Sequence, residues 1–142
     1  MKAGTHTSSA LAFCLALDLA HARLRRKLDE ELGTHHGLDM SDLVLLQVLS
    51  DGSRTPAQLE HPLGKRASHV LRQVLALEKS GWVRRTVDER GQRAIELRPP
   101  GRRLLGEGME TAGWICEQAL AGAHDAQDRL TALCECRALE LR

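Results

Sequence analysis

The sequence predicts a mainly α-helical fold that carries one small β-hairpin, with long helices at both ends. Three observations lead there. The 142 residues include one Phe, two Trp and no Tyr, so leucine and alanine must build the interior, and both enter helices at little cost. Apolar residues recur every three or four positions through most of the chain, which is the spacing of one helix face. Between Gly81 and Pro99 that spacing shortens to two, as in a strand pair, and beyond Pro99 it lengthens again.

Taken in order, Ser8 and Ser9 stand where a first helix would be capped. Leu11, Leu15 and Leu19 form one stripe on it, and Leu17, Leu24 and Leu28 a second, interleaved with Arg23, Arg25, Arg26 and Lys27. A helix of about 24 residues is ~36 Å long. That is more than one small core covers, so the second stripe points to another subunit. Gly33 and the turn at 34–38 are expected to stop this helix. A second helix is expected from Ser41 or Asp42, with Ser41 as cap. Its run Leu43-Val44-Leu45-Leu46-Gln47-Val48-Leu49 is apolar on nearly every side, as in a central buried helix. Thr55 caps a short third helix with Pro56 in its first turn, where a missing N–H costs nothing, and Pro62 and Gly64 close it.

The fourth helix spans about 66–79. Val70, Leu71, Val74 and Leu77 are assigned to its inner side, with Arg66, His69, Arg72 and Gln73 largely on another. Ser80-Gly81 stops it. Residues 82–87 and 92–98 read as two strands joined by the turn Asp88-Glu89-Arg90-Gly91. Pro99-Pro100-Gly101 reads as a break, followed by helices over about 102–121 and 125–141, the last carrying Leu130, Leu133 and Leu139.

The net charge of +1 conceals a division. Residues 65–103 hold eleven Lys/Arg and four Asp/Glu, and the remaining nine Lys/Arg and fifteen Asp/Glu leave the rest of the chain at −6. A basic segment on an acidic body is the electrostatic footprint of a nucleic-acid face. It coincides with a short helix, a tight turn and a second helix exposing polar side chains, the arrangement that sets a helix into the major groove. On the fourth helix Lys65, Arg66, Ser68, His69 and Arg72 carry donors for phosphate oxygens and the guanine edge, and Gln73 suits adenine where exposed. On the hairpin, Arg90 and Arg93 suit the narrow minor groove. Arg84, Arg85, Arg102 and Arg103 read equally well as a solvated face, and Asp88 with Arg90 as a turn salt bridge.

The runs Leu63-Gly64-Lys65-Arg66-Ala67-Ser68-His69-Val70-Leu71-Arg72 and Leu77-Glu78-Lys79-Ser80-Gly81-Trp82-Val83-Arg84-Arg85 resemble the recognition helix and first wing strand of MarR-type winged helix-turn-helix transcriptional regulators. So do Asp88-Glu89-Arg90, Ile95-Glu96-Leu97 and Gly101-Arg102-Arg103-Leu104-Leu105. The resemblance covers nearly the whole chain. It implies one MarR-like domain over 1–142, with dimerisation helices at 1–33 and 102–142 and a winged helix-turn-helix lobe at 40–101. It implies a ligand-responsive repressor, a homodimer on a pseudo-palindromic operator in duplex DNA, with Ser68, His69 and Arg72 on the contacting face. Arg90 matches the wing arginine, with Asp88 bracing it. It also implies a crevice between dimer region and lobe that takes a small aromatic acid, with Arg23, Arg26 and Arg102 to meet its carboxylate and Trp114 as a flat wall. Trp114 reads equally as packing at the dimer seam. Two departures stand out: the wing is one residue longer than the family pattern, so that Arg93 shares or replaces the role of Arg90, and Pro62 and Pro99-Pro100 bear on the junctions.

No cofactor is expected. The four cysteines read as reduced, buried thiols. Cys134 and Cys136, two apart on a helix, point in different directions. Cys14 invites comparison with a peroxide-sensing branch of that family, but the chain lacks tyrosines and the distance from Cys14 to the helix end is short. His35-His36 with Glu30, Glu31 and His124 reads as a surface turn ahead of a metal site. No apolar run reaches the roughly 20 residues of a membrane span. Residues 10–22 contain Asp18 and His21 and follow no basic region, so a cytoplasmic protein without membrane partners is expected. No phosphate loop, nucleophile elbow or carboxylate pair suggests an enzyme. Two rival readings remain open: a winged-helix dimer that acts as a sensor or protein scaffold without specific DNA binding, and a thiol-based redox regulator using Cys14 or Cys116.

Overall fold

The computed structural model describes residues 8–135. The elements are α1 (Ser9–His36), α2 (Met40–Ser50), α3 (Pro56–Leu63), α4 (Ala67–Lys79), β1 (Val83–Val87), β2 (Arg93–Leu97), α5 (Pro99–Ala119) and α6 (Ala126–Glu135). Cys136, Leu139 and the side chains of Leu133 and Cys134 lie outside the described part of the chain. The structure has the expected mainly helical class with one antiparallel hairpin.

Three boundaries differ from the sequence expectation, each for a physical reason. Gly33 does not stop α1, which continues to His36 and ends at Gly37 (φ 66°), whose N–H reaches back to the Gly33 and Leu32 carbonyls. A mid-helix glycine costs about 1 kcal/mol, and full burial of Leu32 on one side and Leu38 on the other outweighs it. α2 is capped by Asp39, not Ser41: Asp39 accepts from the Asp42 N–H while the Asp42 side chain accepts from the Asp39 N–H. Pro99 and Pro100 do not break the chain before α5 but occupy its first two positions, where no backbone N–H is needed.

Helix α2 is central, as expected, with Leu43, Leu45, Leu46 and Leu49 all buried. Around it close Leu28 and Leu32 of α1, Leu59 of α3, Val70, Val74 and Leu77 of α4, Val83 and Ile95 of the hairpin, and Leu104, Leu105, Ala112 and Ile115 of α5. Two glycines let α5 approach. A Cβ on Gly108 would come within 2.8 Å of Leu43 Cδ1, and one on Gly101 would collide with the Trp82 carbonyl. The hairpin therefore rests directly on the first turn of α5.

In the hairpin Val83 pairs with Leu97, Arg85 with Ile95 and Val87 with Arg93. The chain ahead of α3 adds a bridge, with Arg54 N–H donating to Ile95 O at 3.0 Å and Ile95 N–H to Arg54 O at 2.8 Å. α1 packs against α6, Phe13 and Leu17 bordering Ala126 and Leu130, yet Leu11, Phe13, Leu15, Leu17 and Leu19 stay about half exposed.

Candidate nucleic-acid interface

The turn between α3 and α4 is built from the ends of both helices. Thr55 and Gln58 form a capping box that starts α3, and Gly64 (φ 61°) ends it in the left-handed conformation that glycine adopts without strain. Arg66 flanks α4 but contributes no side-chain cap. Glu60 of α3 does so instead, its Oε1 accepting the Ala67 N–H at 2.8 Å. A carboxylate at a helix N-terminus also suits the helix dipole, so the supporting helix fixes the start of the helix it presents. Sequence reasoning missed Glu60. Its signal is an acid seven residues ahead of the first helical residue, across a tight turn.

Along α4, Val70, Val74 and Leu77 face the core. Ser68, Leu71, Arg72 and Leu75 are all exposed, and their spacing of three, four and seven places them in one outward stripe. Leu71 thus belongs to the outer surface, not to the inner side assigned from the sequence. Arg66 and His69 are exposed as well. None of the side chains of Arg66, Ser68, His69 and Arg72 has a hydrogen-bond or ionic partner among the described residues.

Lys65 and Gln73 do not join this face. Gln73 Nε2 donates to Asp42 Oδ1 at 2.9 Å and to Ser41 Oγ at 3.2 Å, and Lys65 Nζ donates to Ser41 Oγ and, at 3.4 Å, to Gln73 Oε1. Desolvation pushes the Asp42 carboxyl above its ordinary value, with the Gln73 hydrogen bond acting against it. These side chains tie α4 to α2. The Gln73 amide and two of the Lys65 hydrogen bonds are thereby directed toward α2 and not toward the exposed stripe of α4.

On the hairpin, Asp88 braces the turn through the backbone. Its Oδ1 accepts the N–H groups of Arg90 at 2.9 Å and Gln92 at 2.8 Å, and it makes no ion pair with the Arg90 guanidinium, so the salt-bridge reading is corrected. Arg90 and Arg93 are exposed, with no side-chain partner among the described residues. The neighbouring arginines differ. Arg84 pairs across the strands with Glu96. Arg85 pairs with Glu78 of α4 at 3.0 Å, and the guanidinium holds the Glu78 carboxyl below its ordinary range. Arg98 donates to Gly81 O at 3.2 Å and Arg102 to Ser50 O at 3.5 Å. Within the basic segment the arginines at the hairpin base are thereby paired, while those beside α4 and at the tip, with Lys79 and with Arg103 on α5, have no side-chain partner among the described residues.

The proposed ligand residues do not converge. Arg102 and Trp114 are twelve positions apart on α5, about 18 Å of helix. Trp114 borders a shallow depression of about 520 Å³ with Glu31, Glu110, His35, His36 and Thr111, a lining without arginine or lysine. Arg23 and Arg26, on α1, do not line it. His35 lies 3.4 Å from Glu31 and His36 hydrogen-bonds Thr111 at 2.8 Å. Among the described residues no group of three His, Cys, Asp or Glu could hold a metal, and no helix is long and apolar enough to cross a membrane. Burial pushes the Cys116 thiol up, away from the reactive thiolate, while Cys14 is exposed.

No protein-family model and no curated protein matches the sequence. Solved structures do match. The transcriptional regulator BldR from Sulfolobus solfataricus superposes with a TM-score of 0.79 at 22% identity, over 87% of this chain and 91% of that one. A MarR-family transcriptional regulator from a Rhodococcus species gives 0.77 at 18% identity, over 91% and 96% of the two chains. A probable transcriptional regulator from Pseudomonas aeruginosa gives 0.70 at 27% identity, over 87% and 91%. MarR from Escherichia coli in its apo form also gives 0.70, at 18% identity over 83% and 89%. The chain has the winged-helix fold of the MarR-family transcriptional regulators.

Proposed function

We propose that the protein is a transcription regulator that binds duplex DNA in a sequence-specific manner as a homodimer. The observation that carries this reading is the sorting of the arginines. Arg66, Arg72, Arg90 and Arg93 are exposed and unpartnered on the two elements that a winged helix offers to DNA, whereas Arg84 and Arg85 beside them are neutralised. Unpartnered cations held on a rigid helix and hairpin suit phosphate oxygens and base edges. Ser68 and His69 add donors on the same surface of α4.

The dimer is supported by the half-exposed Leu11, Phe13, Leu15, Leu17 and Leu19 on α1. On a helix they divide between two faces, Leu11, Leu15 and Leu19 on one and Phe13 and Leu17, which border α6, on the other, and the first is the apolar stripe left for a second copy. To read two half-sites of a duplex, such a dimer must hold its two α4 helices about one turn apart, near 34 Å.

The test is selection of duplexes from a random-sequence pool by the purified protein, followed by sequencing of the retained fraction. A recurrent motif with two-fold symmetry is expected. Retention of no sequence above the starting pool at low salt would overturn the reading and favour a protein-binding scaffold.

A further inference from the structure

We infer that Leu71 and Leu75 give this protein a preference for thymine, by packing against the C5-methyl groups that thymine presents in the major groove. The inference rests on the DNA-binding reading above and names part of its specificity. Leu71 is 40% and Leu75 43% exposed. They share the outward stripe of α4 with Ser68 and Arg72, so whatever that stripe meets must accommodate two isobutyl groups between polar donors. Leu71 also borders a groove lined by Pro56, Val87, Arg93, Ala94 and Ile95, and Val87 is 68% exposed. The apolar patch therefore runs from the reading helix toward the hairpin.

The occupant follows from the charges around the patch. Arg72 stands beside Leu71 in sequence, Arg93 stands across the groove, and both lack a partner among the described residues. A second apolar protein surface seated here would bury those guanidiniums without anions, which is costly. A duplex supplies both needs at once. Its phosphates meet the arginines, and the methyl of thymine is the one apolar group the major groove displays.

The experiment takes the duplex recovered by pool selection and resynthesises it with deoxyuridine for every thymidine, which deletes only the methyl groups. Wild-type protein is expected to bind the uracil duplex about fourfold more weakly for each methyl group that the leucines cover, as for removal of one buried methyl-sized group. Leu71→Ala with Leu75→Ala should bind both duplexes alike and keep the salt dependence of the wild type, since no charge is removed. Equal binding of the two duplexes by wild type overturns the inference, as does a recovered motif without thymine in its half-sites. A double variant that alters the sedimentation mass of the free protein also overturns it, because the leucines are then covered by another copy of the chain. Failure of the selection itself refutes the DNA-binding reading instead, so the two are told apart.

Discussion

Arg72→Ala separates a phosphate-binding surface from a merely basic one. The unpartnered arginines beside α4 and on the hairpin, Arg66, Arg72, Arg90 and Arg93, number four per chain and eight in a two-fold dimer. If each displaces one condensed counterion, log K falls against log salt with a slope of about −7, and affinity drops roughly 10⁴-fold between about 50 and 200 mM salt. Arg72→Ala removes two of the eight and should bring the slope to about −5. The control is Arg84→Ala combined with Glu96→Ala. It deletes another exposed arginine together with its carboxylate partner, and should leave the slope unchanged. Fluorescence anisotropy of a labelled duplex at stepped potassium chloride concentrations reads both. A control that flattens the slope as much as Arg72→Ala does would refute the reasoning, because binding would then follow total basicity and not the sorting of paired from unpartnered charges.

Three further outcomes are expected. Leu15 is 58% exposed, and finishing its burial in both subunits contributes about 2 kcal/mol in all. Leu15→Glu should therefore raise the dimer dissociation constant at least 30-fold in sedimentation equilibrium, and an unchanged constant would remove α1 from the interface. Gly101→Ala forces a methyl against the Trp82 carbonyl and Leu97 and should cost about 1–3 kcal/mol by urea denaturation; a neutral result would mean that α5 and the hairpin yield freely. For Asp42, burial raises the native carboxyl above 3.8, so the native state binds more protons than the unfolded chain just above that value. Wild type should lose stability relative to Asp42→Asn as pH rises through that window toward neutrality, and a difference independent of pH would show an ordinarily solvated carboxyl.

How far the sequence discloses the structure depends on which interactions are local. Thr55-Pro56 and Gly64 declare the ends of α3 because capping involves residues only a few positions apart. The change of period at Gly81 declares the hairpin for the same reason. Leu71 and Gln73 depart from their expected faces because both sit near the boundary between inner and outer sides of α4. A leucine there turns outward once Val70, Val74 and Leu77 have filled the contact with the core. A glutamine there turns inward once Asp42 and Ser41 offer acceptors from α2, a fact recorded some thirty residues away. The partners of Arg84 and Arg85 are of the same kind. Glu96 faces Arg84 only through strand register, and Glu78 meets Arg85 only because the hairpin folds back against α4. The expected ligand residues stay apart for a simpler reason. Arg102 and Trp114 share a helix but not a turn, and helical distance is knowable from the sequence.

The close seat of the hairpin on α5 makes that helix a lever arm. With no side chain at Gly101 to act as a cushion, the Trp82 backbone and the first turn of α5 must travel together. Arg54 and Glu60 couple the same hairpin and α4 to α3, so reading helix and wing ride as one head. α5 has 21 residues and is about 31 Å long. A tilt of about 6° at its distal end would carry the head by ~3 Å over that length. That is close to the roughly 3.4 Å separating successive phosphates along the axis. Two heads held at a fixed spacing would then slip nearly one base pair out of register, with neither head having changed its own shape.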